Sequence, residues 1–221
     1  MRLADSAAGA GQDATTAGQN AAAEDETAVS GDTVFQIAVA GFEAGRDALA
    51  QVRDDITFED CPAPRRLAPY AAAMAATAYR DGTEVATGRL VLLYDPDGQQ
   101  DWTGVFRLVA YVHADVDPEM AADPLLGEVG WSWLTDALSL HAPEYTAPSG
   151  TVTRVITEGF GAKEDEPPLT GFELRASWSP PEDIDLGANV AAWCDLLAAA
   201  AGLPAQPPGT RALRPGGKRH R

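Results

Sequence analysis

Asp81-Gly82 lies between two runs rich in strand formers, and no other feature of the chain constrains its fold as tightly. A two-residue hairpin loop of type I′ requires positive φ at both central residues, which Asp-Gly tolerates, and its twist matches that of the strands it joins. Alanine makes Ala71–Arg80 ambiguous, because it favours helix. The turn decides the matter, and 70–80 and 83–94 are expected as paired antiparallel strands. Asp95-Pro96-Asp97-Gly98 turns the chain again, and Trp102–Ala114 alternates as a third long strand, so a meander follows.

Helices are expected around it. Phe35, Val39, Phe42 and Leu49 sit at helical spacing behind Asp32 or Thr33, giving a helix over 33–52. Ile56 and Phe58 suggest a short strand before the proline break at Cys61-Pro62-Ala63-Pro64. Asp117-Pro118 caps one helical turn. Asp123-Pro124 then supplies an N-cap and a proline at the first helical position for the main helix, Leu125–Leu140, which His141-Ala142-Pro143 ends. Thr151–Phe160 and Phe172–Trp178 read as a hairpin across an acidic loop. Asp183 or Asp185 caps a last helix in which Leu186, Val190, Trp193 and Leu197 form a single stripe, and Gly202-Leu203-Pro204 stops it.

These elements define an α+β chain: an antiparallel β-sheet of about five strands with helices packed on one face, in the order α-β-β-β-α-β-β-α. That order is also the one found in the type III secretion chaperone-like fold, where a middle helix crosses a twisted sheet and often joins two subunits. The likeness is one of topology and carries little functional weight.

Residues 1–30 are Ala, Gly, Asp, Thr, Gln and Glu with almost nothing large to bury, and are expected to be disordered. Residues 31–203 make a single α+β domain, and 204–221 a disordered basic Pro/Gly/Arg tail. Asp and Glu number 33 against 16 Lys and Arg, for a net charge of -17. The excess is larger still without the tail, which carries Arg211, Arg214, Lys218, Arg219 and Arg221 and no acid. Such a body repels phosphate backbones and anionic membranes, so neither nucleic acid nor membrane is expected as its partner. The tail could contact RNA weakly. Cys61 and Cys194 are the only cysteines, too few for a disulfide framework, and no export or spanning segment is seen. A reduced, cytoplasmic setting is the expectation.

Motifs that carry chemistry are missing. Ser132 lacks the second glycine of a nucleophile elbow and lies in a helix, and Ser149 reads as a turn serine with neither His113 nor His141 at a supporting spacing. Cys61, Cys194, His113 and His141 show no metal-ligand spacing. The pairs Asp95 with Asp97 and Asp115 with Asp117 could place two carboxylates together, but capping and turn formation already explain most of these acids. No phosphate-cradling glycine loop occurs, so no cofactor is expected.

What remains is the main helix. Leu126, Val129, Trp133, Ala137 and Leu140 form one apolar stripe; Gly127, Trp131, Leu134 and Leu138 form a second, with Gly127 and Gly130 leaving room for another backbone. Two stripes call for two neighbours, one of which could be a second subunit. Gly127, Gly130, Trp131, Leu134 and Leu138 are therefore the candidate interaction surface. Arg65 and Arg66 join them as a compact basic pair able to grip a partner's carboxylate or phosphate, unless Glu59 or Asp60 pairs with them locally.

Several unusual strings in one order point to a family. Ala63-Pro64-Arg65-Arg66-Leu67-Ala68-Pro69-Tyr70-Ala71, Thr87-Gly88-Arg89-Leu90-Val91-Leu92-Leu93, Met120-Ala121-Ala122-Asp123-Pro124-Leu125-Leu126, Val129-Gly130-Trp131-Ser132-Trp133-Leu134, Tyr145-Thr146-Ala147-Pro148-Ser149-Gly150-Thr151-Val152-Thr153 and Ala192-Trp193-Cys194-Asp195-Leu196-Leu197 together resemble the actinobacterial domain-of-unknown-function 3000 family. The resemblance implies an actinobacterial cytosolic protein and transfers no catalytic residue. The functional expectation is a non-enzymatic protein-interaction or chaperone-like module that binds a protein partner or itself. Its rivals are a hydrolase or metal-dependent enzyme using His113 with acids between 95 and 117, and an RNA-associated accessory protein acting through the tail.

Overall fold

The Asp81-Gly82 hairpin is present, with φ of 54° and 80° at the two residues as a type I′ turn requires. The computed structural model describes residues 30–182 and 186–205. Of the expected tails 1–30 and 204–221, residues 1–29 and 206–221 lie outside the described residues, as do the caps Asp183 and Asp185.

The described residues from Gly31 onward form one compact unit. Its elements run α1 (Gly31–Ala50), β1 (Ile56–Asp60), β2 (Tyr70–Arg80), β3 (Thr83–Tyr94), β4 (Phe106–Asp115), α2 (Pro118–Ala122), α3 (Leu126–His141), β5 (Thr146–Thr157), β6 (Leu169–Ser179) and α4 (Leu186–Ala200). The sheet has six strands in the order β1-β2-β3-β4-β6-β5, every neighbour antiparallel. The strand beyond the expected five is β1, paired through Ile56 with Ala78 and Asp60 with Met74.

Alternation along each strand separates two faces. Met74, Ala76 and Ala78 of β2, Leu90 and Leu92 of β3, Leu108, Ala110 and Val112 of β4, and Phe172, Leu174 and Trp178 of β6 point to one side and are buried in the core. Helices α1, α3 and α4 cover that side: Phe35 of α1 meets Tyr70 and Tyr94, Trp133 of α3 meets Phe172 edge-on, and Trp193 of α4 meets Phe58. On the other face lie Arg89, Val91 and Leu93, then Arg107, Val109, Tyr111 and His113, then Glu173, Arg175 and Ser177. Among the described residues, loops lie over it, held by the Arg89 guanidinium donating to the Pro62 carbonyl and Gln99 Nε2 donating to the Leu67 carbonyl at 3.0 Å.

The single stripe expected for α4 is corrected. Asn189, Ala192, Cys194, Leu196, Ala198 and Ala200 are buried along with Leu186, Val190, Trp193 and Leu197, so the buried face takes in most of the helix circumference. A helix packed between α1, α3 and the sheet needs so wide a buried face, and the stripe Ala188, Ala191, Asp195 and Ala199 is left partly exposed. Gly202, at φ 61°, ends it, with the Leu203 N–H reaching back to the Ala198 carbonyl at 2.9 Å.

Candidate functional site

Helix α3 begins where Asp123 directs it, since the Asp123 carboxylate accepts the Leu125 backbone N–H at 2.8 Å. Its apolar residues form one wide face, not two stripes. Leu126, Gly130, Leu134, Ala137 and Leu138 are buried, while Val129 and Leu140 of the expected first stripe are 42% and 62% exposed. At about 100° per residue Leu134 falls between the tryptophans, so Trp131 and Trp133 occupy opposite flanks of a face turned to the protein's own core.

Of the candidate surface, Leu134 and Leu138 expose nothing, and a Cβ on Gly130 would lie 2.4 Å from Phe172 Cε2. Gly130 thus makes room for a ring of β6, not for a foreign backbone. Gly127 faces open space, and the half-buried Trp131 lies beside Gly150 of β5. Of the five helix positions in the candidate surface, Gly127 and Trp131 are the ones left partly accessible. Arg65 and Arg66 are exposed, and the alternative pairing with Asp60 is replaced by one between Asp60 and Arg46.

The histidines have separate positions. His141 closes α3 and reaches Asp195 of α4 at 2.7 Å, a tie between helices. His113 stands on the helix-free face with Asp115 at 3.8 Å and Glu173 at 4.0 Å. Both separations exceed hydrogen-bond length. Glu173 is also held by Arg175 at 2.8 Å and by the Tyr111 hydroxyl at 3.3 Å, and no group of acids, His and Cys suited to a metal occurs among the described residues. Asp95 accepts the Asp97 N–H at 3.2 Å and serves the turn, and Ser132 donates to the Val129 carbonyl at 2.8 Å within its helix. Cys61 and Cys194 are both free thiols.

Ser149 does belong to a constellation, and its centre is Arg107, a residue the sequence reading passed over. Arg107 lies on β4 between buried Phe106 and Leu108, and it is itself only 6% exposed. Its Nη1 donates to the Ala147 carbonyl at 3.0 Å and Ser179 Oγ at 3.2 Å; its Nη2 donates to Ser149 Oγ at 3.2 Å and Ser177 Oγ at 2.8 Å. Every acceptor is neutral. Burial lowers its pKa from the ordinary arginine value, opposed by the Asp101 carboxylate, and it remains a cation. Ala147 adopts φ 47°, unusual for a residue with a Cβ, at the bulge between Thr146 and Ser149 that turns its carbonyl to the guanidinium. A concavity of about 700 Å³ opens here, walled by Leu67, Leu93, Trp102, Val109 and Pro148. The signal in the sequence was an arginine inside the apolar run from Val105 to Val112.

The sheet ends in two unlike edges. β1 is short and finishes in Glu59-Asp60, whereas β5 runs for 12 residues with Arg154 as its sole charge. From Gly150 to Thr157 β5 keeps unbroken register with β6 on one side, and β5 is the last strand of the sheet.

Fold and site together define an α+β protein with a one-sided helical layer, a free sheet edge and a concavity centred on Arg107 on the loop-covered face. The chain belongs to the family described as protein of unknown function (DUF3000), whose profile matches residues 33–210. No curated protein and no solved structure matches it. No helix among the described residues is long and apolar enough to cross a membrane.

Proposed function

We propose that the protein is a non-enzymatic interaction module, and that it takes up a protein partner or a second copy of itself by adding a strand to β5. The carrying observation is the undefended β5 edge. A free edge presents unpaired N–H and C=O groups, and proteins commonly blunt such edges with charge, proline or shortness. β1 uses shortness and acids; Pro148 and the bulge guard only the first residues of β5. Thr151, Val152, Thr153, Val155 and Ile156 then present β-branched residues along an edge without acid, in a chain of net charge -17. The half-buried Trp131 of α3 lies against Gly150 of β5 and would border the added strand.

Thr151 and Thr153 are exposed, so lysine at both positions leaves the core untouched. Sedimentation of the chain alone, and of complexes isolated from its own host, is expected to show association that the T151K/T153K variant loses at unchanged Tm. A chain that is monomeric and isolated without a partner, or a complex indifferent to both lysines, overturns the proposal.

A further inference from the structure

We infer that the concavity centred on Arg107 is a binding site for a small carboxylic acid with an apolar body. This inference is independent of strand addition at β5.

Two arginines of the described residues are buried, Arg53 at 2% and Arg107 at 6% exposure. Arg53 has its counter-ion: Nε and Nη2 donate to the two carboxylate oxygens of Asp55 at 2.8 and 3.0 Å. Arg107 forms no ion pair with any described residue, although acids outnumber bases two to one in the chain. Buried charges are normally paired, because removing an ion from water costs several kcal/mol that neutral dipoles only partly return. The site therefore has the composition of a half-made ion pair whose other half comes from outside.

The hydroxyls show how an anion would be met. Ser149 and Ser177 both accept from Arg107 and lie 3.3 Å from one another. One hydroxyl proton can serve the neighbouring serine; the other is free to point into the concavity, polarised by the cation behind it. A carboxylate placed there receives a hydroxyl donor and full guanidinium charge, and partial displacement of the serines gives it the planar fork directly.

The walls specify the rest of the molecule. Leu67, Leu93, Trp102, Val109 and Pro148 supply apolar and aromatic surface, and a volume of about 700 Å³ lies within the range of small-ligand pockets. Asp101 stands among the lining residues. Its charge opposes a dianion such as a phosphate monoester more than a singly charged carboxylate. The Gln99 side chain, bonded to the Leu67 carbonyl at 3.0 Å and Asp95 Oδ2 at 3.1 Å, joins the two loops that form the outer wall.

The test uses the full chain and calorimetric titration with 4-phenylbutyrate, with 4-phenylbutan-1-ol and phenyl phosphate as comparators. Saturable binding of the acid with Kd of about 1 mM or below is expected, at least about tenfold tighter than either comparator. Trp102→Ala and Ser149→Ala, which lie at the rim, are expected to weaken the acid several-fold without lowering Tm. Asp101→Asn is expected to tighten it, because a competing carboxylate is removed. Arg107→Gln should abolish binding, and Arg107→Lys provides a charged substitute if the glutamine variant does not fold. No saturable binding of the acid, equal binding of the alcohol, preference for the phosphate, or indifference to the rim variants each overturns the inference. So does Asp101→Asn lowering Tm without tightening the acid, since Asp101 would then be the arginine's own counter-ion.

Discussion

Cys194 is fully enclosed beside Trp193, and burial, with Asp195 and Asp55 adding to it against Arg53, pushes its thiol from 9.0 up to about 12. At pH 8 it is therefore almost wholly protonated and inaccessible. A maleimide reagent is expected to label native protein once, at the partly exposed Cys61, and denatured protein twice. The shift also sets a pH dependence: the native state keeps a proton that the unfolded chain releases above pH 9, so stability falls as pH rises from about 9 to 12. Cys194→Ala should flatten that limb of the Tm profile relative to wild type. Two glycines of α3 make a second comparison, because their surroundings have opposite signs. A methyl at Gly130 meets Phe172, which is fully buried beneath Trp133, and is expected to cost about 1–3 kcal/mol in chemical denaturation. A methyl at Gly127 meets nothing within 4 Å and should stabilise by up to about 1 kcal/mol through helix propensity. Equal effects at the two positions would contradict this arrangement of α3 on β6. The sequence spacing marked both glycines as places of close approach, but which of them faces a neighbour depends on where the sheet lies.

Helices α1 and α4 cross at a pair of glycines, where a Cβ on Gly45 would lie 2.6 Å from Gly187 Cα. Backbone cannot yield as a side chain does, so Gly45→Ala is expected to separate the helices at a cost of about 1–3 kcal/mol, read as a lowered denaturation midpoint. Gly41→Ala, whose nearest neighbour would be Leu186 Cβ at 3.9 Å, is the control and should cost little or stabilise. The elements most legible in the sequence are those whose boundary is a local stereochemical event. Asp81-Gly82 placed β2 and β3 to the residue, because its turn type depends on two φ angles and little else. β5 begins at Thr146, five residues before the expected Thr151: Pro148 reads as a break, yet the bulge and positive φ at Ala147 absorb it within the strand. α4 was legible as a helix and illegible as a central one, since burial over most of its circumference comes from neighbours distant in sequence. The same reason hid the Arg107 site, whose partners Ala147, Ser149, Ser177 and Ser179 come from two strands that the chain reaches only after α3.

A net charge of -17 acts on the whole molecule, and its consequence is a salt dependence whose sign can be argued. Folding brings like charges closer together, so self-repulsion opposes the compact state, and screening relieves it. Screening also weakens ion pairs, which would push stability the other way. Those pairs contribute little here: Lys163–Glu166 is 70% and 63% exposed, and Arg46–Asp47 has an aspartate 65% exposed, where such contacts are worth about 0–1 kcal/mol each. The Arg53–Asp55 pair has a buried arginine and is screened less. Repulsion summed over 33 acids against 16 bases should therefore prevail. Tm is expected to rise as sodium chloride increases from about 0.02 to 0.5 M, over which the Debye length falls from roughly 20 to 4 Å. At this chain length each kcal/mol corresponds to about 2–4 °C. Sucrose at matched osmolality separates charge screening from general exclusion, because it leaves the Debye length unchanged. A Tm that falls with salt would mean that attractive pairs, not net repulsion, govern the surface. In that case the acid-free β5 edge would have no privileged place in an otherwise repulsive exterior.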